Sequence, residues 1–235
     1  MNFVFVPGAW HGGWSWYPVG QRVKAAGHAA VALTLPGLTM GDDPAGLRLE
    51  DAVGHIAAAV ERRDLHDVVL VGHSFAGIPI AGAARRLAGR LTRIAFYSAF
   101  IPRAGESMAD AMGAETAAYL RALISSSPEQ TVVVDFDSFS TTLMQGEPEE
   151  LQRLVYDQLL PQPGGYMLDS PDAGGEDIRA LGLPVTYLLA EHDRALAAPG
   201  AELAARVGVA PVIVPGTHEG QLTHPDDVAK ALLQA

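Results

Sequence analysis

The stretch Val68-Val69-Leu70-Val71-Gly72-His73-Ser74-Phe75-Ala76-Gly77 begins as a continuous apolar run and ends in small residues around a serine. An unbroken apolar run is typical of a strand covered on both faces, and Ile78-Pro79-Ile80 then starts a helical pattern. Small residues two positions before and two positions after Ser74 let a strand turn sharply into a helix. The stretch therefore predicts that Ser74 lies at a strand-to-helix turn, with its hydroxyl held above the sheet near a helix N-terminus.

Short apolar runs and longer helical patterns alternate on both sides of this turn, which is typical of a parallel sheet with crossover helices. The predicted strands cover residues 2–6, 29–35, 67–72, 92–97, 185–190 and 211–214. The predicted helices cover residues 16–26, 49–63, 76–88, 199–207 and 225–233. The sequence therefore predicts an α/β fold with about six mostly parallel strands flanked by helices.

The alternation stops between residues 102 and 182, where helical patterns at 114–124 and 149–160 flank a short apolar run at 131–136. An insertion of about 80 residues is too long for an ordinary loop. We therefore predict that residues 102–182 form a mainly helical cap, inserted before the penultimate strand, over a core made of 1–101 and 183–235. Open α/β sheets bind ligands at the carboxyl edge that such a cap would cover. The alternative is a set of extra helices packed on one face of the sheet.

The composition excludes several classes of protein. With 27 acidic against 16 basic residues, the net charge of −11 argues against a nucleic-acid partner and against docking on an anionic membrane. The absence of cysteine excludes disulfides, thiolate metal sites, iron–sulfur ligation and a cysteine nucleophile. No apolar run approaches the ~20 residues of a membrane span, and the chain opens without a secretory signal pattern. We therefore expect a cytoplasmic protein with no membrane association.

Two further loops carry groups that could activate Ser74. A serine hydroxyl is a weak nucleophile until a base accepts its proton and a third group orients that base. Glu191-His192-Asp193 follows the predicted strand at 185–190, and Thr217-His218-Glu219 follows the last strand. Loops at the carboxyl ends of parallel strands share one edge of the sheet, so these groups should converge on Ser74. From the residues alone, Glu191 and His192 compete with Asp193 for the role of the third group.

Together these motifs resemble the α/β-hydrolase family, specifically its compact esterase and hydroxynitrile-lyase-like branch. The resemblance extends over almost the whole chain and includes Phe5-Val6-Pro7-Gly8-Ala9-Trp10-His11-Gly12-Gly13-Trp14 after the first strand. It also includes Ala99-Phe100-Ile101-Pro102 at the start of the predicted cap. The chain departs from the family pattern at Ala76, where glycine is usual, and at Pro7, where histidine is usual.

The resemblance implies a serine hydrolase with Ser74 as the nucleophile, His218 as the base and Asp193 as the acid. In similar enzymes one oxyanion N–H comes from the first loop and the second from the residue after the nucleophile. On this sequence those donors are the backbone amides of Ala9 and Phe75. The reaction that it implies is hydrolysis of a carboxylic ester or lactone through an acyl-Ser74 intermediate.

The predicted substrate pocket is apolar and partly aromatic. Its lining is predicted to comprise Trp10, His11, Phe100, Tyr119, Phe136, Phe139 and Tyr156. These side chains favour a small to medium-sized apolar molecule as the substrate. We expect no cofactor and no metal, because His218 and His224 are six residues apart rather than the four of a zinc-protease helix. A homodimer is compatible with the sequence.

The same residues are compatible with other functions at this point. The Ser74–His218 pair could move protons only, in a lyase, cyclase or dehydratase reaction. In the hydroxynitrile lyases that the chain resembles, a lysine follows the catalytic histidine, whereas this chain has Glu219, which argues against cyanohydrin cleavage. A ligand receptor on the same scaffold is a third reading, disfavoured by the intact candidate triad. An epoxide hydrolase or a dehalogenase would need a carboxylate where Ser74 stands.

Overall fold

A computed structural model describes residues 1–234 of the chain. In this part there are eight strands: β1 (Asn2–Val6), β2 (Ala29–Ala32), β3 (Val68–His73), β4 (Leu91–Tyr97), β5 (Thr131–Val132), β6 (Gln162–Pro163), β7 (Val185–Ala190) and β8 (Val212–Val214). Six of them form one parallel sheet in the order β2-β1-β3-β4-β7-β8. The predicted α/β fold with six parallel strands is therefore confirmed.

Helices flank this sheet. Across residues 1–234 they are α1 (Tyr17–Ala25), α2 (Leu49–Glu61), α3 (Gly77–Leu87), α4 (Met108–Ala111), α5 (Ala114–Ser126), α6 (Phe136–Ser138), α7 (Glu149–Tyr156), α8 (Gly164–Leu168), α9 (Gly175–Ala180), α10 (Gly200–Arg206), α11 (Gly220–Thr223) and α12 (Pro225–Gln234). Short 3₁₀ helices lie at Gly13–Trp16, Ser74–Ala76 and Ala88–Arg90, and Phe139–Leu143 forms a short π-helix. None of these helices is long and apolar enough to cross a membrane.

The strands of the sheet carry apolar side chains on both faces, as a sheet covered by helices on both sides requires. Val4 and Leu70 are paired in register and belong to the core on the face covered by α2 and α3. Their neighbours Phe3 and Val69 point to the opposite face, where α1 and α12 pack. This alternation follows from the period of two along a strand. It explains why the strands read as continuous apolar runs in the sequence.

The predicted β2 was three residues too long, since the strand ends at Ala32 instead of residue 35. Ala32 pairs with Phe5, and Leu33 adds one hydrogen bond to the Phe5 carbonyl at 2.9 Å. Pro7 then follows β1 and has no N–H with which to continue the ladder. The chain beyond residue 33 therefore leaves the sheet.

Residues 102–182, between β4 and β7, contain α4 to α9 and the antiparallel pair of β5 and β6. Part of this segment lies against the first loop of the chain: the Leu160 N–H donates to the Trp10 carbonyl at 3.0 Å. Another part, α9, packs beside α3 on the face of the sheet. The division into a core and a cap at residues 102 and 182 stays a prediction.

Candidate active site

Ser74 lies at the end of β3, at the point where the strand turns into α3. Its φ of +52° falls in the left-handed region, which non-glycine residues adopt at a cost of roughly 1–3 kcal/mol. Gly72 makes the turn possible, because a Cβ there would lie 2.3 Å from Ile80 Cδ1. It would also lie 3.3 Å from the Cβ of Ala76, so the alanine that departs from the family pattern fits beside a glycine. The Ser74 residue is 8% exposed.

The turn is held against the loop that follows β4. The Phe100 N–H donates to the Ser74 carbonyl at 3.0 Å. A Cβ at Gly77 would lie only 1.9 Å from the Phe100 carbonyl oxygen, so this position needs glycine. The backbone around Phe100 therefore fixes where the strand-to-helix turn sits.

His218 and Asp193 form a buried pair at the ends of β8 and β7. The His218 Nδ1–H donates to Asp193 Oδ2 at 2.8 Å, and the two side chains are 1% and 4% exposed. The second carboxylate oxygen of Asp193 accepts from the Ala195 N–H at 2.8 Å. Glu191 and His192 are exposed, so neither competes with Asp193 for this contact.

Each partner changes the pKa of the other. Burial alone would lower the pKa of His218, but the charge of Asp193 and its hydrogen bond outweigh burial, and Glu219 adds to the effect, so the pKa is raised. Burial would raise the pKa of Asp193, but the charge and the hydrogen bond of His218 outweigh it and the pKa is lowered. The pair is therefore arranged to stabilise an imidazolium next to a carboxylate.

The first loop lies directly against Ser74. A Cβ at Gly8 would be 3.0 Å from the Ser74 Cβ and 2.9 Å from His73 Nδ1, so only a glycine allows this approach. Ala9 is 3% exposed, and within residues 1–234 its N–H donates to no protein acceptor. A buried N–H without a partner is rare in folded proteins. Such a group is available to bind an oxyanion on a substrate attached to Ser74.

Three hydrogen bonds tie Trp10 to the inserted segment. The Trp10 N–H donates to Gln162 Oε1 at 2.8 Å, and its indole Nε1–H donates to the Val132 carbonyl at 3.0 Å. The third is the bond from Leu160 to the Trp10 carbonyl. These bonds hold Trp10 at a φ of +67°. Gln162, which is completely buried, was not predicted from the sequence, because nothing local to β6 indicates a contact 152 residues away.

A buried polar contact joins His11 of the first loop to Glu219, which follows His218. His11 is 1% exposed, and its Nδ1 is 2.7 Å from the Ala9 carbonyl oxygen. Its Nε2 lies 3.5 Å from Oε2 of Glu219, which is completely buried. The same Oε2 accepts from Gln221 Nε2 at 2.6 Å. The structure thus places His11 among buried polar groups rather than among the aromatic residues with which it was predicted to line a pocket.

Four of the predicted pocket residues come together. The Tyr156 ring lies 5.2 Å from that of Phe136 and 5.6 Å from that of Phe139, and Trp10 packs against the same cluster. Phe100 is buried in the main core beside the strand-to-helix turn. Whether these side chains line a substrate pocket stays a prediction.

Tyr119 does not join this cluster. Its side chain is 62% exposed, which does not fit a place in an enclosed pocket wall. The buried residues of α5 are Ala117, Leu120 and Ile124, which repeat at helical spacing and define its inner face. Tyr119 falls on the opposite face of the helix, and it is exposed because that face points away from the core.

His73, His218 and Glu219 bring potential ligand atoms within 4.8 Å of one another. However, His73 Nε2 is 3.0 Å from the His218 carbonyl oxygen, and His218 Nδ1 is engaged by Asp193. Burial, with the nearby His218 and His11, holds the pKa of His73 well below its usual value. We therefore assign these residues to the hydrogen-bond network around His218 and not to a metal site.

Comparison with known proteins adds to this geometry. A family model described as the alpha/beta hydrolase family matches residues 3–231. The carbendazim hydrolyzing esterase of Nocardioides sp. (strain SG-4G) is 36% identical over 109 residues, which cover 46% of this chain and 45% of that protein. Esterase PIR7B of Oryza sativa subsp. japonica is 29% identical over 224 residues, covering 82% of this chain and 78% of the relative. The first of these matches thus spans less than half of the relative's length.

A solved structure described as an extracellular alpha/beta-hydrolase from a Paenibacillus species superposes with a TM-score of 0.90. It covers 100% of this chain and 98% of its own, at 23% sequence identity. At this level of identity, the likeness shows that the two chains share a fold.

Proposed function

The chain belongs to the alpha/beta hydrolase family, and from this premise we propose that it hydrolyses a carboxylic ester or lactone of a small to medium-sized apolar molecule. The reaction would proceed through an acyl-Ser74 intermediate. The observation that carries the proposal is the 2.8 Å bond from His218 to Asp193 at the same sheet edge as Ser74, which has a φ of +52°. Curated relatives that are named esterases support the same reaction class.

In the first half of the reaction, His218 Nε2 takes the proton from Ser74 Oγ as that oxygen bonds to the carbonyl carbon of the substrate. The π electrons of the carbonyl move onto its oxygen, which the N–H groups of Ala9 and Phe75 stabilise. Loss of one such donor typically lowers the rate by about 10²–10³-fold. Asp193 stabilises the imidazolium that forms on His218.

In the second half, the tetrahedral intermediate collapses, and the bond to the alcohol oxygen breaks. His218 gives its proton to the leaving alkoxide, which departs as the alcohol and leaves an acyl group on Ser74. A water molecule then attacks the acyl carbon while His218 accepts one of its protons. Collapse of the second intermediate returns the proton to Ser74 Oγ and releases the carboxylic acid.

The aromatic cluster of the inserted segment supports an apolar substrate. Phe136, Phe139 and Tyr156 pack with Trp10, and Trp10 follows Ala9 in the first loop. An acyl or alcohol group beside that loop would meet apolar surface contributed by residues of the proposed cap at 102–182. Such surface favours hydrocarbon over charged groups.

The alternative is an enzyme that uses Ser74 and His218 for proton transfer alone, such as a lyase, cyclase or dehydratase. The buried carboxylate of Glu219 argues against one reaction of this class, the cleavage of cyanohydrins. A negative charge next to His218 would repel a leaving cyanide, so cyanohydrin cleavage is disfavoured. The other proton-transfer reactions remain the second candidate.

The test is labelling with a fluorophosphonate, which modifies an activated serine. Wild type and the control variant Ser125→Ala, at an exposed serine on α5, should be labelled, whereas Ser74→Ala should not. A wild type that takes no label, or a Ser74→Ala variant labelled as fast as wild type, would overturn the acyl-enzyme reaction. If the serine is labelled but no p-nitrophenyl ester from acetate to octanoate is hydrolysed, the proton-transfer alternative is favoured.

Two further expectations from the sequence are part of this proposal. A cytoplasmic location is the first, and it stays a prediction. Assembly into a homodimer likewise stays a prediction, and the partner that we propose for the site is a small-molecule substrate without a cofactor.

A further inference from the structure

We propose that His11 and Glu219 form a second buried acid–histidine pair that positions the first loop for catalysis at Ser74. This pair is called the loop brace below. The proposal rests on the function proposed above, because it gives the brace the task of holding the Ala9 N–H where an oxyanion would form. Its two members are 208 positions apart in the chain, and neither is one of the three candidate triad residues.

The direction of one hydrogen bond settles the tautomer of His11. Its Nδ1 lies 2.7 Å from the Ala9 carbonyl oxygen, and a carbonyl oxygen can only accept. Nδ1 therefore carries a hydrogen and donates it. The other ring nitrogen, Nε2, has no hydrogen-bond partner at normal length and faces Oε2 of Glu219 across 3.5 Å.

The contact between His11 and Glu219 is enclosed by the protein. His11 is 1% exposed and Glu219 is completely buried. Glu219 Oε2 also accepts from Gln221 Nε2 at 2.6 Å, and its other oxygen has no partner among the described residues. Burial therefore holds the imidazole ring and the carboxylate against each other.

The brace acts on the peptide unit between Ala9 and Trp10. The carbonyl of this unit accepts from His11 at 2.7 Å, and its N–H donates to Gln162 Oε1 at 2.8 Å. A peptide plane held from both sides cannot rotate without breaking one of these bonds. The two contacts therefore fix the peptide plane on the carboxyl side of the Ala9 Cα. The plane on the other side, which carries the free Ala9 N–H, is limited by the close approach of Gly8 to Ser74.

The brace also links the first loop to the loop that carries the base. Glu219 directly follows His218, so a shift of the first loop is transmitted to the segment that holds the imidazole. Other ionisable groups surround the pair: His73 and His218, and beyond them Asp193 and Tyr97. Burial, and the charges of Asp193 and Glu219, raise the pKa of Tyr97 well above its usual value, so it stays neutral. The pKa of His73 is held well below its usual value, so His73 stays neutral as well.

The kinetic test uses Glu219→Gln, His11→Asn and the double variant, with Glu191→Gln as the matched control at an exposed glutamate. Glu219→Gln should lower kcat for a p-nitrophenyl ester about tenfold and leave KM within about twofold. The loss in kcat is smaller than the loss expected when an oxyanion donor is removed completely. The double variant should be no slower than the slower single variant, because both substitutions remove one contact. The brace would be overturned by a kcat within about twofold of wild type in Glu219→Gln. It would also be overturned if the loss of kcat in the double variant equalled the product of the losses in the two single variants.

A second readout does not depend on ester hydrolysis. In protein labelled with ¹⁵N-histidine, the His11 signals are assigned by their loss in His11→Asn. They should show a hydrogen on Nδ1, and the Nε2 signal should shift in Glu219→Gln. A His11 Nε2 signal that is the same in wild type and in Glu219→Gln would overturn the proposal.

The two proposals fail in different ways. If wild type takes fluorophosphonate label and Glu219→Gln is labelled at the same rate, the brace is wrong and the proposed function stands. If wild type takes no label, the proposed function fails, and the nitrogen spectrum alone decides whether His11 and Glu219 are in contact.

Discussion

The Nδ1 atom of His218 lies 2.8 Å from Oδ2 of Asp193, and water reaches almost none of either side chain. The two residues are 25 positions apart and stand at the ends of neighbouring strands β7 and β8. A carboxylate in this place orients the imidazole and keeps Nε2 free to accept a proton. The predictions that follow test this relationship and the contacts around it.

Asp193→Asn should lower kcat for ester hydrolysis by about 10³-fold or more, because an amide can donate to Nδ1 and so favour the wrong tautomer of His218. Glu191→Gln, two positions away and exposed, should leave kcat near the wild-type value. The measurement is steady-state hydrolysis of p-nitrophenyl acetate. A larger loss in Glu191→Gln than in Asp193→Asn would move the role of the acid to Glu191.

The rate should depend on pH through His218. The base must be neutral to accept the Ser74 proton, and Asp193 raises the pKa of His218 above its ordinary value of 6.5. The profile of kcat/KM should therefore fall as the pH drops, with a midpoint above 6.5. In Glu219→Gln the midpoint should move to lower pH, since Glu219 contributes to the rise. A wild-type midpoint below that of free histidine would contradict this assignment.

Gly77→Ala should destabilise the protein by about 3 kcal/mol, because the new Cβ would overlap the Phe100 carbonyl and force backbone shifts. The clash is a Cβ to oxygen distance of 1.9 Å. Gly54→Ala is the matched control within α2, where the nearest atom to a Cβ is Arg86 Nη1 at 3.9 Å. There alanine should stabilise the helix by up to about 1 kcal/mol. Urea unfolding of both variants measures the difference, and equal effects would refute the close approach.

Gln162→Leu should remove the acceptor for the Trp10 N–H without changing the volume much. A buried donor left without a partner costs about 1–3 kcal/mol, so the free energy of unfolding should fall by that amount. We also expect kcat to fall, since one side of the Ala9–Trp10 peptide becomes free. Gln158→Leu, at an exposed position after α7, is the control and should change neither value. An unchanged kcat in Gln162→Leu would show that the inserted segment does not steady the first loop.

Phe136→Ala should shift the preference among p-nitrophenyl esters toward shorter chains. Removing apolar contact area from the aromatic cluster should lower kcat/KM for octanoate about tenfold relative to acetate, which corresponds to about 1.4 kcal/mol. Tyr119→Ala is the control, because its side chain is 62% exposed. Comparable shifts in both variants would mean that Tyr119 contacts the substrate after all.

Much of the fold follows from local patterns. Short, nearly continuous apolar runs predicted each strand of the sheet, and small residues around Ser74 predicted the strand-to-helix turn. The end of β2 was missed because it depends on Pro7, the residue after the neighbouring strand β1, which a pattern within residues 29–35 does not show. The exposure of Tyr119 was missed for a related reason, since the inner face of α5 is decided by what the helix packs against.

The candidate site, like the fold, has features that local sequence patterns predict and features that they do not. The sequence shows a serine at 74, an aspartate at 193 and a histidine at 218, each directly after a predicted strand. Because a parallel sheet brings the carboxyl ends of its strands to one edge, this pattern predicts that the three side chains converge. The residues alone left Glu191 and Asp193 as alternatives, and only the family resemblance favoured Asp193. In the structure the Asp193 side chain is 4% exposed and bonded to His218, whereas Glu191 is exposed. Gln162 and Glu219 gave no local signal at all for their contacts with the first loop.

The sequence by itself determined the parallel sheet, the turn at Ser74 and the order in which serine, acid and histidine follow along the chain. These features rest on local steric and hydrophobic preferences, which neighbouring residues carry. The tertiary structure alone decided that His11 faces Glu219 and that Gln162 receives the Trp10 N–H. Pairing of buried polar groups depends on distance and on exclusion of water, and both arise only when segments more than a hundred residues apart are packed together.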